Sequence, residues 1–255
     1  MSKLTAIIAL AGALLSGSVA AEPAKPTVVL VHGAFADSSS WNGVAGILQK
    51  DGYRVVAAAN PLRSVAGDAA YVSDVVKSIE GPVVLVGHSY GGSVITAAAN
   101  GRDNVKSLVY VAAFAPDEGE TAAELAGKFP GGTLGSALAA PVKLADGGVD
   151  LYIDQAKFHE QFAHDVPADE AALMAVGQRP VTEAALNEKA GKPAWKSLPS
   201  WFVYGSADKN IPAKVLGFMA ERAGSKHTVV VDGASHVVMV SQPQAVADLI
   251  EEAAQ

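Results

Sequence analysis

The sequence predicts an α/β protein with a mostly parallel sheet of about six strands, wound on both faces by helices and carrying an inserted helical cap. Continuous β-branched and apolar runs, typical of strands buried on both faces, alternate along the chain with segments of helical period. The repeated order strand, helix, strand indicates a doubly wound parallel sheet. This rhythm is interrupted once, between Asp117 and Pro199, where no strand run occurs.

Composition sets limits on the partners. The chain has 255 residues, of which 50% are hydrophobic and 18% charged, as expected for a globular protein with a sizeable core. Its net charge is -7, and lysine and arginine do not cluster, which argues against a nucleic-acid partner or an anionic membrane surface. Cysteine is absent, so no cysteine metal site is possible. We expect no metal and no cofactor; nothing in the sequence indicates an oligomeric state.

The first residues, Met1 to Ala21, have the three-part pattern of a secretory signal peptide. Lys3 precedes an apolar run from Leu4 to Leu15, and small residues follow up to the expected cleavage after Ala20 or Ala21. The run is too short to span a bilayer, which takes about 20 residues. We therefore expect a protein exported to the periplasm or secreted, without stable membrane insertion.

The remaining chain divides into a core, 22–116 and 200–255, and the cap, 117–199. Apolar runs predict core strands at Thr27–Val31, Arg54–Ala58, Val105–Ala112, Ser200–Tyr204 and Thr228–Val231, and a strand that starts with the four apolar residues from Val83 and leads into the serine motif. Helical spacing and end signals predict core helices over 41–50, 68–79, 212–223 and 242–252, and a small-residue helix after Gly92. In the cap, helical patterns occur near 155–162 and 169–176.

The motif Gly87-x-Ser89-x-Gly91 follows the strand that begins at Val83. It is the pattern of a nucleophile elbow, a strand-to-helix turn so tight that side chains at the flanking positions would collide. The turn strains the serine backbone and exposes its hydroxyl above the sheet, near the positive end of the following helix. Ser89 is therefore the candidate nucleophile.

A base and an orienting acid are expected at the carboxyl ends of later strands, where open α/β sheets bind ligands. Asp208 follows the strand that ends at Tyr204, and His236 follows the strand that ends at Val231. Ser89, Asp208 and His236 thus occur in the order nucleophile, acid, base. Asp208 could instead cap a turn or helix, and Asp232 is a rival acid, although it precedes His236 by few residues.

Two backbone N–H groups are expected to stabilise the oxyanion that develops in acyl transfer. One belongs to Tyr90, the residue after the nucleophile. The other lies in the loop after the first strand, where we expect Ala34 to donate, with Phe35 as the adjacent option. Phe35, Tyr90 and Phe114 are predicted to line the substrate pocket, although these aromatics could equally be core residues.

These motifs resemble the α/β-hydrolase superfamily along nearly all of the chain after the signal peptide. The run Val29–Ala34, the following Trp41 and the run Gly87–Gly92 are most similar to the branch of plant hydroxynitrile lyases, salicylate methyl esterases and bacterial esterases. The lyases of this branch carry a lysine just after the catalytic histidine. Here Val237 and Val238 follow His236, so the resemblance implies hydrolysis rather than lyase chemistry.

The resulting prediction is a serine hydrolase that cleaves small carboxylic esters through an acyl-enzyme at Ser89. Carbon-carbon bond cleavage, by hydrolysis or lyase chemistry, and perhydrolysis are alternatives, since the same motifs serve them. A non-catalytic binder of a small molecule on the same fold is the alternative from another class.

Overall fold

The computed structural model describes residues 25–255. The predicted signal peptide, Met1 to Ala21, lies outside the described residues. Among the described helices, none has the length and apolar character needed to cross a membrane.

Residues 25–255 contain nine strands: β1 (Thr27–Val31), β2 (Val55–Ala58), β3 (Val83–His88), β4 (Val105–Val111), β5 (Val142–Lys143), β6 (Val149–Leu151), β7 (Val181–Thr182), β8 (Ser200–Gly205) and β9 (Thr228–Val231). Six of them form the main sheet, in the order β2-β1-β3-β4-β8-β9, and all of its pairings are parallel. Every residue of β1 and β3 is buried, which explains why these strands are continuous apolar runs. The predicted parallel sheet of about six strands is confirmed.

The same residues contain eleven α-helices: α1 (Asn42–Lys50), α2 (Val65–Lys77), α3 (Tyr90–Ala98), α4 (Ala122–Ala126), α5 (Leu134–Ala137), α6 (Gln155–Phe162), α7 (Ala168–Gly177), α8 (Glu183–Asn187), α9 (Ala213–Arg222), α10 (Val238–Ser241) and α11 (Pro243–Ala253). Two 3-10 helices, Ser38–Trp41 and Ala194–Lys196, complete the helical elements of this range. The chain reverses its direction across the sheet between β2 and β3, so right-handed connections put α1 and α2 on opposite faces. Accordingly, α1 packs against α11 while α2 packs against α3.

The reversal leaves a crevice between the carboxyl ends of β1 and β3, the usual position of ligand sites in open α/β sheets. The loop after β1 and the turn after β3 meet there closely. A Cβ added to Gly33 would lie 2.6 Å from the Cβ of Ser89. The two segments predicted to supply the oxyanion donors and the nucleophile are therefore adjacent.

The segment between β4 and β8 folds over this crevice and forms the cap. It contains α4 to α8 and, in addition, the three-stranded antiparallel sheet β5-β6-β7. The expectation of a purely helical segment without strands was wrong on this point. These strands are only two or three residues long, too short to show an alternating pattern in the sequence.

Candidate active site

Ser89 occupies the turn between β3 and α3 with φ 53° and ψ -123°, a conformation that costs a non-glycine residue energy. Close backbone approaches hold it there. A Cβ on Gly87 would lie 2.6 Å from the carbonyl oxygen of Gly91, and a Cβ on Gly91 would lie 2.5 Å from the carbonyl oxygen of Val31. The Gly-x-Ser-x-Gly spacing is thus required by contact distances, and it fixes the serine at the carboxyl edge of the sheet.

Asp208 and His236 form a buried hydrogen-bonded pair beyond the ends of β8 and β9. Nδ1 of His236 lies 2.7 Å from Oδ2 of Asp208, and the two side chains are 1% and 0% exposed. The other carboxylate oxygen of Asp208 accepts hydrogen bonds from the backbone N–H groups of Asn210 and Ile211, at 2.8 and 2.9 Å. Asp208 is therefore fixed on both of its oxygens, and Nδ1 of His236 is positioned to donate to it.

The rival acid, Asp232, has a different partner. Its Oδ1 accepts a hydrogen bond from the hydroxyl of Ser206 at 3.0 Å. The residue range 25–255 contains no hydrogen bond between Asp232 and His236. Geometry therefore favours Asp208 as the group that orients the histidine.

His88 supports His236 from the core. Its Nε2 donates to the backbone carbonyl of His236 at 3.1 Å, and the centroids of the two rings are 4.8 Å apart. Burial, together with the neighbouring His236, holds the pKa of His88 well below its usual range. His88 is consequently a neutral packing residue beneath the elbow, as its position before Ser89 suggests.

The hydroxyl of Ser89 and the ring of His236 are not hydrogen bonded in the described part of the chain. Catalytic hydrogen bonds are often long in ligand-free enzymes and shorten when substrate binds. The contacts of Gly33 with Ser89 and of His88 with His236 nevertheless bring nucleophile and histidine to the same edge of the sheet.

The loop after β1 distinguishes between the two candidate oxyanion donors. The N–H of Phe35 donates to the carbonyl of Arg179 in the cap at 2.9 Å, so this group is already occupied. Within residues 25–255, the N–H groups of Ala34 and Tyr90 have no acceptor. This contact favours the expected donor Ala34 over Phe35, since the N–H groups of Ala34 and Tyr90 are available to a ligand.

A cavity of about 340 Å³ opens between this edge of the sheet and the cap. No charged side chain lines it, and its wall is mostly alanine, glycine, leucine and phenylalanine. The lining residues are Ala34, Phe35, Ser89, Tyr90, Phe114, Ala122, Ala123, Ala126, Gly132, Leu134, Gly135, Leu138, Leu186, Asn210 and Ile211. The arrangement suits a small, largely apolar molecule next to the serine.

Of the three aromatics predicted to contact substrate, Phe35 and Phe114 lie in the cavity wall. Tyr90 also borders the cavity, but its side chain is fully buried and its hydroxyl donates to Asp68 at 2.9 Å. Burial of its ring favours, for Tyr90, the alternative that these aromatics are core residues. The Tyr90 side chain is a core residue, and what it can offer a ligand is its backbone N–H.

Sequence reasoning missed two cap residues that contact the histidine loop. The ring of Phe162 packs edge-on against the ring of His236, with centroids 5.1 Å apart. The carboxylate of Asp165 accepts a hydrogen bond from the N–H of Ser235 at 3.1 Å. Neither residue follows a core strand or belongs to a motif, so no local signal could identify them.

The cap is attached to the core by charged groups. Nη1 of Arg63, just before α2, pairs with Oδ1 of Asp150 in β6 at 2.6 Å. The carboxylate of Glu188, just after α8, accepts hydrogen bonds from the N–H groups of Val65 and Ala66 at 2.6 and 3.0 Å. A carboxylate at a helix N-terminus is favourable because it binds free N–H groups and complements the helix dipole.

Comparison with known proteins gives a family for this architecture. The model of the Alpha/beta hydrolase family matches residues 28–249. An alpha-hydroxynitrile lyase of Arabidopsis thaliana is 26% identical over 88% of this chain and 95% of its own. A carbendazim hydrolyzing esterase of Nocardioides is 38% identical over 36% of this chain and 44% of its own. The resemblance to the branch of hydroxynitrile lyases and bacterial esterases is thereby confirmed.

Among solved structures, polyneuridine aldehyde esterase is similar to this fold. It superimposes with a TM-score of 0.79 over 91% of this chain and 100% of its own, at 19% sequence identity. Similarity at this identity establishes the shared fold.

Proposed function

Because the chain belongs to the alpha/beta hydrolase family, we propose that it is a serine hydrolase that cleaves small carboxylic esters. The observation that carries the proposal is the buried 2.7 Å pair between Asp208 and His236, next to a serine in a strained elbow. A relative named as an esterase supports the same reaction class.

In the proposed reaction, His236 first acts as the base. Asp208 accepts the Nδ1 proton, so the lone pair of the neutral ring is on Nε2 and takes the proton of the Ser89 hydroxyl. The serine oxygen attacks the ester carbonyl, and the negative charge moves to the carbonyl oxygen. The N–H groups of Ala34 and Tyr90 bind that oxyanion; one such donor is worth about 10²- to 10³-fold in rate.

Collapse of the tetrahedral intermediate breaks the bond to the alcohol. His236 gives the leaving oxygen its proton, the alcohol departs, and an acyl group remains on Ser89. Water then repeats the sequence: His236 takes a proton from it, the hydroxide attacks the acyl carbon, and Ser89 recovers its proton as the carboxylic acid leaves.

The cavity supports a small, uncharged substrate. Its volume of about 340 Å³ lies at the lower end of ordinary ligand pockets, and no charged side chain lines it to balance an ionised substrate. Small alkyl or aryl esters fit these conditions better than polymers or long lipids.

Replacing Ser89 by alanine tests the proposal. We expect Ser89→Ala to abolish hydrolysis of p-nitrophenyl acetate and labelling by a fluorophosphonate, while thermal unfolding still shows a cooperative transition. Ser93→Ala, at a buried serine of α3 four residues further on, is the matched control and should retain both. Undiminished hydrolysis by Ser89→Ala would refute the assignment.

The same experiments separate the alternatives. A non-catalytic binder would not react with the fluorophosphonate. A substrate panel distinguishes the other reactions: a cyanohydrin tests carbon-carbon bond cleavage, and an ester supplied together with hydrogen peroxide as the acyl acceptor tests perhydrolysis. The side chain after His236 is the buried Val237, which offers no cation to a cyanide leaving group, and this favours hydrolysis over lyase chemistry.

Export is a further part of the proposal. The protein carries a signal peptide over residues 1–21 and acts in the periplasm or outside the cell. N-terminal sequencing of the protein recovered from an exporting host should start at Ala21 or Glu22. An N-terminus at Met1 in the cytoplasmic fraction would contradict it.

A further inference from the structure

Asn210 is a polar residue in an otherwise apolar part of the cavity wall. It follows the proposed acid Asp208 by two positions, is 5% exposed, and lines the cavity that also contains Ser89. Around it the wall is built from Ile211, Leu134 and Leu138 together with small residues. Among the described lining residues, Asn210 is the one side-chain amide.

The orientation of the Asn210 amide is fixed by its neighbour in the cap, Gln161. Nε2 of Gln161 donates to the backbone carbonyl of Lys209 at 3.0 Å, and Oε1 of Gln161 accepts from the hydroxyl of Thr133 at 2.8 Å. A backbone carbonyl can only accept, so the Gln161 amide cannot be turned around.

The same Nε2 also donates to Oδ1 of Asn210, at 2.7 Å. The oxygen of the Asn210 amide therefore faces Gln161, and its NH₂ group is directed elsewhere. Within residues 25–255, Nδ2 of Asn210 has no hydrogen-bond partner, and it is not among the polar atoms that are sealed from solvent. An oriented donor with accessible surface is thus present at the wall of the cavity.

A donor in an apolar wall is unfavourable when a bound molecule removes its water without replacing the hydrogen bond. The group is favourable when the molecule brings an acceptor. A charged acceptor would itself lose hydration, and no cationic side chain lines the cavity to compensate it. An uncharged oxygen of the bound molecule accepts the hydrogen bond and brings no charge that would need compensation.

We propose that Asn210 determines substrate specificity by donating a hydrogen bond from Nδ2 to an uncharged oxygen of the substrate, separate from the ester that is cleaved. The preferred substrates are then small apolar esters that carry a second oxygen acceptor, such as a ketone, an ether or a second ester carbonyl. This inference rests on the proposed ester hydrolysis at Ser89.

The test compares esters that differ only in the second acceptor. For the acyl side, p-nitrophenyl 5-oxohexanoate is paired with p-nitrophenyl 5-methylhexanoate; for the alcohol side, 4-acetylbenzyl acetate is paired with 4-isopropylbenzyl acetate. In each pair the reacting carbonyl and the leaving group are electronically similar. The wild type should show a kcat/KM roughly 3- to 10-fold higher for the keto member of at least one pair, the range expected for one neutral hydrogen bond.

Two variants remove the donor in different ways. Asn210→Leu replaces the amide by an apolar side chain of similar size, whereas Asn210→Asp keeps the oxygen that faces Gln161 and replaces the NH₂ by oxygen. In each variant that folds, the keto preference should fall to about one or reverse. Asn187→Leu, on an exposed asparagine of α8 whose amide binds the carbonyl of Glu183, is the control and should keep the preference.

The outcomes separate this inference from the proposed function. If the wild type hydrolyses both members of each pair at equal rates, or if both Asn210 variants keep the preference, the inference is overturned while ester hydrolysis stands. If the wild type hydrolyses none of the four esters and Ser89 is not labelled by the fluorophosphonate, the proposed function fails and the inference with it.

Discussion

Replacing Asp208 by asparagine tests the orientation of the proposed base. In the native protein one carboxylate oxygen accepts from the N–H groups of Asn210 and Ile211 at 2.8 and 2.9 Å, and the other faces Nδ1 of His236 at 2.7 Å. An asparagine has one acceptor oxygen, and two converging N–H donors hold it on their side. Its NH₂ group must then face Nδ1 of His236, which can pair with it only by accepting a hydrogen bond.

The ring proton consequently moves to Nε2, the atom that has to take the proton of Ser89. In Ser-His-Asp triads this wrong tautomer lowers kcat by about 10⁴-fold. At 1.36 kcal/mol for each factor of ten, the loss of transition-state stabilisation is about 5.4 kcal/mol. Asp208→Asn should show this loss in kcat, because the geometry of the site otherwise stays in place.

The assay is hydrolysis of p-nitrophenyl acetate with Ser89→Ala as the blank, together with thermal unfolding to establish that the variant is folded. Asp232→Asn is the matched control, since that carboxylate binds the Ser206 hydroxyl and should leave kcat within a few-fold of the wild type. The reasoning is refuted if Asp208→Asn keeps more than about a tenth of the wild-type kcat, or if Asp232→Asn loses as much.

Three further predictions concern stability, each measured by urea unfolding. A Cβ at Gly92 would lie 2.2 Å from the carbonyl oxygen of Phe114, so Gly92→Ala should destabilise the fold by about 1–3 kcal/mol. Gly46 in α1 is the contrasting site, because a Cβ added there would have no atom within 4 Å. Gly46→Ala should therefore stabilise the fold by up to about 1 kcal/mol. Because burial lowers the pKa of His88, the unfolded chain binds a proton that the folded chain does not, so the free energy of unfolding should fall as the pH drops below about 6.5. His88→Gln should reduce the dependence of this free energy on pH by up to about 1.4 kcal/mol per pH unit. An unchanged pH dependence would contradict a neutral His88. Phe162 is fully buried, so Phe162→Ala should cost about 3–5 kcal/mol, and a loss below about 1 kcal/mol would show that this ring contributes little to holding the cap on the core.

The main sheet could be predicted because parallel strands buried on both faces leave a strong local signal. All five residues of Thr27–Val31 are buried, and this strand begins and ends where its apolar run predicts. Helix starts were less accurate: apolar spacing predicts α2 from Asp68, but the helix begins at Val65. The side chain of Ser64 caps it by accepting from the N–H of Gly67, a polar signal that the apolar period does not contain.

The candidate site was predictable where chemistry follows strand ends and was not where it depends on distant contacts. Asp208 and His236 lie after consecutive strands of the sheet, so their positions along the chain were sufficient to pair them. The occupation of the Phe35 N–H by a cap carbonyl, and the contact of Phe162 with His236, join residues far apart in the chain. Such contacts depend on how the cap folds over the core, and the irregular cap sequence does not encode that in any local pattern.

The attachment of the cap has a consequence for protein engineering. Arg63 and the first turn of α2 belong to the core, but their partners, Asp150 and Glu188, belong to the cap. A chimaera that received residues 117–199 from a relative without these two carboxylates would leave the Arg63 guanidinium without its ion-pair partner and the first N–H groups of α2 without their acceptor. With such a donor, the graft has to include the stretch from 63 to 66 as well, so the transferable unit is discontinuous in the gene.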